Sequence, residues 1–202
     1  ALDSSGSVYV ADYYSLQKFS ADGTFAWRND NTEISVCVDQ SENIYTFESE
    51  QNIISKLDTG GNQMASWGAG GSGAGEFTQP GGVLWHNGYI FAIDENGQSK
   101  KIVKFTDDGT YVTEWEIGYT SSSGTPPFYG MTAIDGGTNL LVANKRRNML
   151  EIYTVDGNLL HELGSAGSLP GELRSPTGVT LDSTGRLFVV DSENNRVQVF
   201  SR

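Results

Sequence analysis

The chain of 202 residues contains one cysteine, Cys37, and two histidines, His86 and His161. A lone cysteine cannot form an internal disulfide, and its expected role is that of a small buried apolar residue. The two histidines occupy different parts of the sequence pattern described below, so a zinc site built on three histidines is excluded. The chain also lacks a Gly-x-Ser-x-Gly motif, and the sequence indicates no catalytic nucleophile.

Basic residues are scarce, with 13 Lys and Arg against 25 Asp and Glu, which gives a formal charge of -12. Such a surface repels phosphate backbones, so a nucleic-acid partner is not expected. No run of 18 apolar residues is present, and a membrane-spanning helix or membrane partner is not expected either. The apolar residues show no sustained 3.6-residue period, so helix should be confined to stray turns.

A short apolar run recurs along the whole chain. It ends at one polar residue in each copy, and the copies read "VYVAD", "IYTFE", "IFAID", "LLVAN" and "LFVVD". These register residues are Asp12, Glu48, Asp94, Asn144 and Asp191, at intervals of 36, 46, 50 and 47 residues. A period of about 40 to 50 residues is typical of a β-propeller or another repeat array.

Each copy contains up to four such runs of four to six residues. They are rich in Val, Ile, Phe and Tyr and are bounded by Asp, Gly and Ser, which is typical of strands joined by hairpin turns. Apolar residues three apart, such as Leu16 and Phe19, point to opposite faces of a strand. Both faces must then be covered, as they are when a sheet lies between two others. The sequence predicts an all-β chain of about nineteen strands.

The segments "GEFTQPGGV" (75–83), "GELRSPTGV" (171–179) and "DSTGRLFVVDSENNRVQVF" (182–200) resemble NHL repeats. The second copy departs most from the pattern, because Glu42 replaces the turn glycine and Glu48 the register aspartate. The resemblance implies one β-propeller domain of five four-stranded antiparallel blades, the last lacking its outer strand. The repeats are approximately residues 1–33, 34–80, 81–129, 130–176 and 177–202. It also implies that the loops after the second and fourth strands share the ligand-binding face.

The five register residues place one carboxylate or amide at the same level of each blade. A ring of oxygens could hold a hard cation such as calcium. The favoured interpretation is that each side chain caps the loop behind its own strand through local hydrogen bonds. On that interpretation no metal or cofactor is expected.

One island of positive charge interrupts the acidic sequence. It consists of Lys145, Arg146 and Arg147, together with Lys100, Lys101 and Lys104 at the matching place one repeat earlier. Such a cluster could bind an anionic peptide, sugar acid or phosphate, or could be a solvated loop that offsets nearby carboxylates. Aromatic residues fall in loops of the same predicted face: Tyr13, Tyr14, Phe77, Tyr119, Phe128 and Tyr129. Phe77 is expected instead to pack its loop onto the blade, and Trp27, Trp67 and Trp115 to pack at the rim.

The leading hypothesis for function is a non-catalytic module that binds a protein or peptide through the loop face. Its binding residues would be Tyr13, Tyr14, Lys100, Lys101, Lys145, Arg146 and Arg147. The alternative is a metal-dependent enzyme, such as a lactonase or lyase on a related propeller. A third hypothesis is a structural segment of a larger protein with no ligand of its own.

The ends of the chain fall inside the repeat. Residue 1 aligns with Cys37, so the first blade begins within its innermost strand, and the last copy stops before its fourth strand. We expect a piece of a longer, six-bladed propeller, and a secreted, periplasmic or extracellular setting is favoured. Two states remain open: a monomer if the ring closes on five blades, or a homodimer through open blade faces.

Overall fold

The computed structural model describes residues 1–12, 14–31, 33–96, 99–117, 131–134 and 138–201. Within these ranges eighteen strands form five antiparallel sheets, and each sheet takes its strands in sequence order. The predicted all-β class and the division into five blade-like sheets are therefore confirmed. In the described ranges no helix is long and apolar enough to cross a membrane.

The first three sheets come from the first 116 residues. The first sheet consists of β1 (Val8–Ala11), β2 (Leu16–Phe19) and β3 (Phe25–Asn29). The second consists of β4 (Glu33–Val38), β5 (Ile44–Glu48), β6 (Ile53–Leu57) and β7 (Gln63–Trp67). The third consists of β8 (Pro80–His86), β9 (Tyr89–Asn96), β10 (Ser99–Thr106) and β11 (Tyr111–Glu116).

The last two sheets follow in the same way. The fourth consists of β12 (Met131–Ile134), β13 (Asn139–Asn144), β14 (Met149–Thr154) and β15 (Leu159–Leu163). The fifth consists of β16 (Pro176–Leu181), β17 (Leu187–Asp191) and β18 (Arg196–Phe200). A 3₁₀ turn, Ser192–Asn194, joins its last two strands. Helix is thus confined to a stray turn in the described residues, as predicted.

The first sheet has one strand fewer than a full blade. Before β1, the described residues form only an isolated bridge between Leu2 and Val8. This accounts for eighteen described strands where about nineteen were predicted. The fifth sheet has three strands, and the predicted absence of its outer strand is confirmed.

The chain divides into two compact units. Unit 1 comprises Ala1–Gly97 and Lys101–Trp115, and unit 2 comprises Gln98–Lys100 and Glu116–Arg202. The expectation of a single domain, with the repeat limits given above, stays a prediction.

The core of unit 1 lies between successive sheets. One face of β5 presents Ile44, which packs with Tyr9 and Leu16 of the first sheet. The other face presents Tyr45 and Phe47, which pack with side chains of the third sheet. Every residue of β5 is buried for this reason, and its sequence does not alternate between apolar and polar residues. In unit 2, Leu141 and Ala143 of the fourth sheet pack against Val189 of the fifth.

A repeated aspartate forms the turn between the first and second strands of three sheets. Asp3, Asp39 and Asp182 each accept hydrogen bonds from backbone N–H groups two and four residues later. In the first two sheets the second carboxylate oxygen accepts a hydrogen bond from a tyrosine hydroxyl of the following strand. Tyr9 donates to Asp3, and Tyr45 donates to Asp39. The fifth sheet has Phe188 at this place, and the Arg186 guanidinium, which lies over the Phe188 ring, donates to Asp182 instead.

Two of these turns, at Asp3 and Asp182, make the free energy of unfolding depend on pH. Burial opposes ionisation of Asp3, but hydrogen bonds from Ser5, Ser7 and Tyr9 outweigh it and hold the pKa of Asp3 well below its usual range. Hydrogen bonds from Thr184 and Arg186 likewise lower the pKa of Asp182. Because the folded pKa values lie below the unfolded value of about 3.9, this stabilisation is present above that pH and is lost as the pH falls through the folded pKa.

We therefore expect the urea midpoint of the protein to fall steadily below about pH 4. Asp3→Asn should be less stable than the wild type at pH 6, and the two midpoints should converge in acid. Asp30→Asn, at an exposed carboxylate paired with exposed Arg28, is the matched control and should keep the wild-type acid dependence. A constant gap between Asp3→Asn and the wild type at every pH would contradict the assignment.

Candidate functional site

Three register residues cap the loop that follows their own strand, as predicted. Asp12 accepts from the Tyr14 N–H at 3.1 Å and the Ser15 hydroxyl at 3.0 Å. Glu48 is 3% exposed and accepts from the Gln51 side chain of the loop at 2.9 Å, and also from the Ser55 hydroxyl of β6. The Asn144 side-chain oxygen accepts from the Arg147 N–H at 3.1 Å. Their oxygens are thus used by donors of the same blade.

Asp94 holds the loop that precedes its sheet, and its predicted cap of the loop after β9 lies outside the described residues. It accepts from the N–H groups of Thr78 and Gln79, each at 2.8 Å, which lie in the loop that enters the third sheet. A carboxylate that accepts backbone N–H groups fixes the course of that loop. The sequence pattern could not show this, because the partners lie 16 and 15 residues before Asp94.

Asp191 combines both kinds of contact. It is 0% exposed and accepts from the Arg174 N–H at 2.6 Å, in the loop that enters the fifth sheet. It also accepts from the side chains of Asn194, Arg196 and Gln198 within its own sheet. Burial opposes ionisation of this carboxyl, but these hydrogen bonds outweigh it and lower the pKa of Asp191. Asp94 and Asp191 therefore hold corresponding loops in place.

The described residues contain no group of three or more His, Cys, Asp or Glu side chains arranged to hold a metal ion. The weak metal candidates Asp12, Glu48, Asp94, Asn144 and Asp191 are instead engaged in the hydrogen bonds given above. Cys37 lies in the core of unit 1, and burial raises the pKa of its thiol to about 12. Its predicted burial is confirmed, and at neutral pH it is a thiol rather than a reactive thiolate.

Phe77 packs its loop onto the blade, as predicted. It is 0% exposed, with its ring 4.6 Å from that of Phe47 and 5.9 Å from that of Phe105. Trp67, also predicted to pack, lies against Gly109 of the next sheet's turn. Trp27 lies against Gly61 in the same way and donates its indole N–H to the Thr59 carbonyl.

Lys100 and Lys101 are not the exposed loop cations that the sequence indicated. They lie within β10, which begins before them, and are 6% and 8% exposed. The Lys101 ammonium group is 3.0 Å from the Glu114 carboxylate and donates to the Gly73 carbonyl. The corresponding residue of the fifth sheet is Gln198, so Lys101 occupies a structural position of the repeat. A ligand cannot approach it as a surface charge.

Lys145, Arg146 and Arg147 do lie in a loop, which joins β13 to β14 in unit 2. We call residues 145–148 the basic loop. Arg147 is engaged within the protein, since its guanidinium lies 2.8 Å from Glu151 and also contacts Glu162. These carboxylates raise the pKa of Arg147. Lys145 and Arg146 are half-buried.

Arg174 adjoins the basic loop and was missed in the sequence. The Ser175 N–H donates to Asn148 of the basic loop at 2.8 Å, which brings the loop entering the fifth sheet alongside. The Arg174 side chain is 56% exposed, and its guanidinium is 3.9 Å from Glu193. The sequence offered one signal for Arg174. It precedes the serine of "GELRSP", in the segment that links the fifth sheet to the preceding sheet, which carries the basic loop. The candidate site in unit 2 is therefore Lys145, Arg146 and Arg174.

The aromatic part of the predicted site belongs to unit 1. Tyr14 is 70% exposed and its N–H donates to Asp12. Tyr13, Tyr119, Phe128 and Tyr129 lie outside the described residues. The basic loop and Tyr14 belong to different units, and their joint use in one site stays a prediction.

The comparison with protein families matches the NHL repeat at residues 173–200, the segment that carries Asp191 and β17. The chain is 39% identical over 71 residues to Protein lin-41 of Caenorhabditis elegans. That match covers 35% of this chain and 6% of the relative, so the chain spans a small fraction of the relative's length.

Solved structures share the fold at low identity. A chain of the nidogen/laminin complex is 19% identical with a TM-score of 0.72, covering 98% of this chain and 73% of that chain. Virginiamycin B lyase from Staphylococcus aureus is 16% identical with a TM-score of 0.67, covering 100% of this chain and 68% of that chain. Likeness at this level of identity shows the propeller-type fold alone.

Proposed function

Because this chain belongs to the NHL-repeat proteins, we propose that it is a non-catalytic module that binds an acidic segment of a protein or peptide. The binding site is the surface formed by Lys145, Arg146 and Arg174 in unit 2. The observation that carries the proposal is a local reversal of charge. These cations cluster at one pair of loops on a chain whose formal charge is -12.

The fold supports a rigid site at this position. Asn148 joins the basic loop to the loop entering the fifth sheet, and Asp191 holds the latter through the Arg174 N–H. Arg147 is anchored to Glu151, a carboxylate with 0% side-chain exposure. Loops fixed in this way lose little conformational freedom when a ligand binds, which favours affinity. The cations of these two loops steer an acidic partner towards the site.

A non-catalytic function is supported by the structural hydrogen bonds that the register residues make. The carboxylates and the amide that could form a catalytic or metal-binding set are occupied as structural hydrogen-bond acceptors. Cys37 is buried with a raised pKa. A chelator-free preparation should therefore carry calcium and zinc far below one ion per chain. Stoichiometric metal would favour a lyase- or lactonase-like enzyme over the binding module.

The binding site is tested by reversing its charge. The double variant Lys145→Glu and Arg146→Glu should bind a fluorescein-labelled poly-glutamate peptide at least about tenfold more weakly than the wild type, as measured by fluorescence anisotropy. Wild-type binding should weaken as salt is raised, because the exposed charges are screened.

Arg28→Glu provides the control and reverses one charge where the double variant reverses two. Arg28 is an exposed cation of β3 in unit 1, with a side-chain exposure of 46%. The control alters net charge without touching the site, and it should leave the affinity within about twofold of the wild type. A loss of binding free energy in Arg28→Glu about half that of the double variant would mean that net charge alone governs binding, because the control reverses one charge and the double variant two. An undiminished affinity in the double variant would place the site elsewhere.

A further inference from the structure

A glutamate of the protein itself lies against Arg174 in the candidate site. One oxygen of the Glu193 carboxylate is 3.9 Å from Nε of Arg174, and the other accepts the Ser175 hydroxyl at 2.7 Å. We call Arg174 and Ser175 the carboxylate subsite. A guanidinium and a hydroxyl that together hold one carboxylate can hold a carboxylate from another molecule in the same way.

Main-chain hydrogen bonds fix the carboxylate subsite. The Glu193 N–H donates to the Arg174 carbonyl at 3.1 Å, which ties the 3₁₀ turn to the loop entering the fifth sheet. The Arg174 N–H is held by Asp191, and the Ser175 N–H is held by Asn148. None of these bonds uses the Glu193 carboxylate, so the subsite keeps its form when that carboxylate moves away.

The backbone of Ser175 is unusual for a residue with a side chain. Its φ is 51, in the left-handed region that favours glycine, and the residue is 8% exposed. Gln79, its counterpart in "GEFTQP" of the third sheet, does not adopt this conformation. Non-glycine residues held in this region cost free energy and occur preferentially at functional sites.

The repeat folds without a carboxylate subsite. The third sheet has Thr78 and Gln79 at the places of Arg174 and Ser175, and the register carboxylate of Asp94 holds that loop through their N–H groups. The loop entering the fifth sheet is held by its own register carboxylate in the corresponding way. The pairing of Arg174 with Glu193 is therefore additional to what the fold requires.

The Glu193 carboxylate can leave the subsite at little cost. The side chains of Arg174 and Glu193 are 56% and 59% exposed, and their separation of 3.9 Å is longer than that of a charge-assisted hydrogen bond. Exposed ion pairs of this kind contribute little stability, because water solvates both charges once they separate. A ligand carboxylate can replace that of Glu193 without a change in the loops.

We propose that Arg174 and Ser175 bind a glutamate or aspartate side chain of the ligand in place of the Glu193 carboxylate. This inference rests on the proposed peptide-binding function and names the group that one part of the site recognises. Glu193 is a built-in competitor, which an acidic ligand displaces. A ligand with a neutral residue at this point leaves Glu193 in place and gains nothing from the subsite.

A double-mutant cycle tests the exchange. The probe is the fluorescein-labelled poly-glutamate peptide with an amidated C-terminus, so that it offers only side-chain carboxylates. Glu193→Ala should raise its affinity about threefold, because the peptide no longer displaces a partner of Arg174. In an Arg174→Gln background the same substitution should change the affinity by less than about 1.5-fold. An equal gain in both backgrounds would show an effect of net charge alone, and that result or the lack of any gain would overturn the proposal.

A second measurement separates this inference from the proposed function. The Arg174 Nε–H resonance is followed by NMR while glutarate is added at constant ionic strength, and it should shift at lower glutarate concentration in Glu193→Ala than in the wild type. The control is the Arg28 Nε–H resonance in Asp30→Ala, an exposed arginine of β3 that has likewise lost its carboxylate partner. Equal shifts of the two arginines would indicate non-specific association with guanidinium groups and would overturn the subsite. A shift confined to Arg174, without binding of the peptide, would support the subsite and refute the peptide-binding module.

Discussion

Replacing Phe77 with alanine is expected to lower the free energy of unfolding by about 3 to 5 kcal/mol. The ring is 0% exposed and lies between Phe47 and Phe105, so its removal opens a cavity between the second and third sheets. The loss is not readily relieved by collapse of the loop, because the adjacent Asp94 carboxylate holds the Thr78 and Gln79 N–H groups. Urea denaturation followed by tryptophan fluorescence measures the change.

Phe25→Ala is the control for this substitution. It removes a phenylalanine side chain from β3. Because Phe25 is 55% exposed, folding buries little of its apolar surface. The expected loss is below about 1 kcal/mol. Similar losses in the two variants would show that Phe77 is not the packing residue that joins its loop to the blade.

Replacing Arg147 with methionine is expected to destabilise the protein by about 3 kcal/mol. The Glu151 side chain is 0% exposed, and without the guanidinium its charge remains buried beside the amide of Asn144 and the hydroxyl of Tyr153. Removing one partner of a buried ion pair leaves the other uncompensated, which costs about 3 to 5 kcal/mol. The lower figure applies because these two neutral donors remain and the Arg147 side chain is itself 32% exposed.

The double variant Arg147→Met and Glu151→Gln should recover more than half of that loss, since it removes the buried charge as well as its partner. Arg28→Met is the exposed counterpart. The side chain of Arg28 is 46% exposed and that of its partner Asp30 is 77% exposed. Its cost should be within about 1 kcal/mol. A double variant as unstable as Arg147→Met would indicate that Arg147 acts through packing rather than through charge.

Strand order, turns and the five-sheet division were predictable because they follow from local physical chemistry. Short runs rich in Val, Ile, Phe and Tyr define strands. An aspartate followed by a glycine defines a turn, because its carboxylate accepts hydrogen bonds from the N–H groups two and four residues later, as at Asp182. The second sheet forms its turn despite the missing glycine, with Glu42 in the left-handed region at φ 65. The Asp39 hydrogen bonds to Ser41 and Asn43 define that turn without a glycine.

The candidate site was predictable only in part. The sequence located the basic loop, because "NKRRN" stands out in an acidic chain. It did not show that Arg147 is held by Glu151 and Glu162, that Lys101 is buried against Glu114, or that Arg174 adjoins the basic loop. A charge in a sequence is exposed or engaged according to which strands lie beside it.

The sequence by itself determined the repeat, the strands and the turns of this protein, since each depends on residues within a few positions of one another. Only the tertiary structure decided which oxygens of the register residues hold which loops, as Asp94 does for Thr78 and Gln79. It also decided which side chains cover one another, as Tyr45 and Phe47 of the second sheet are buried against the third. The physical reason is that both depend on contacts between segments far apart in the chain, and the local preferences of the residues do not specify those contacts.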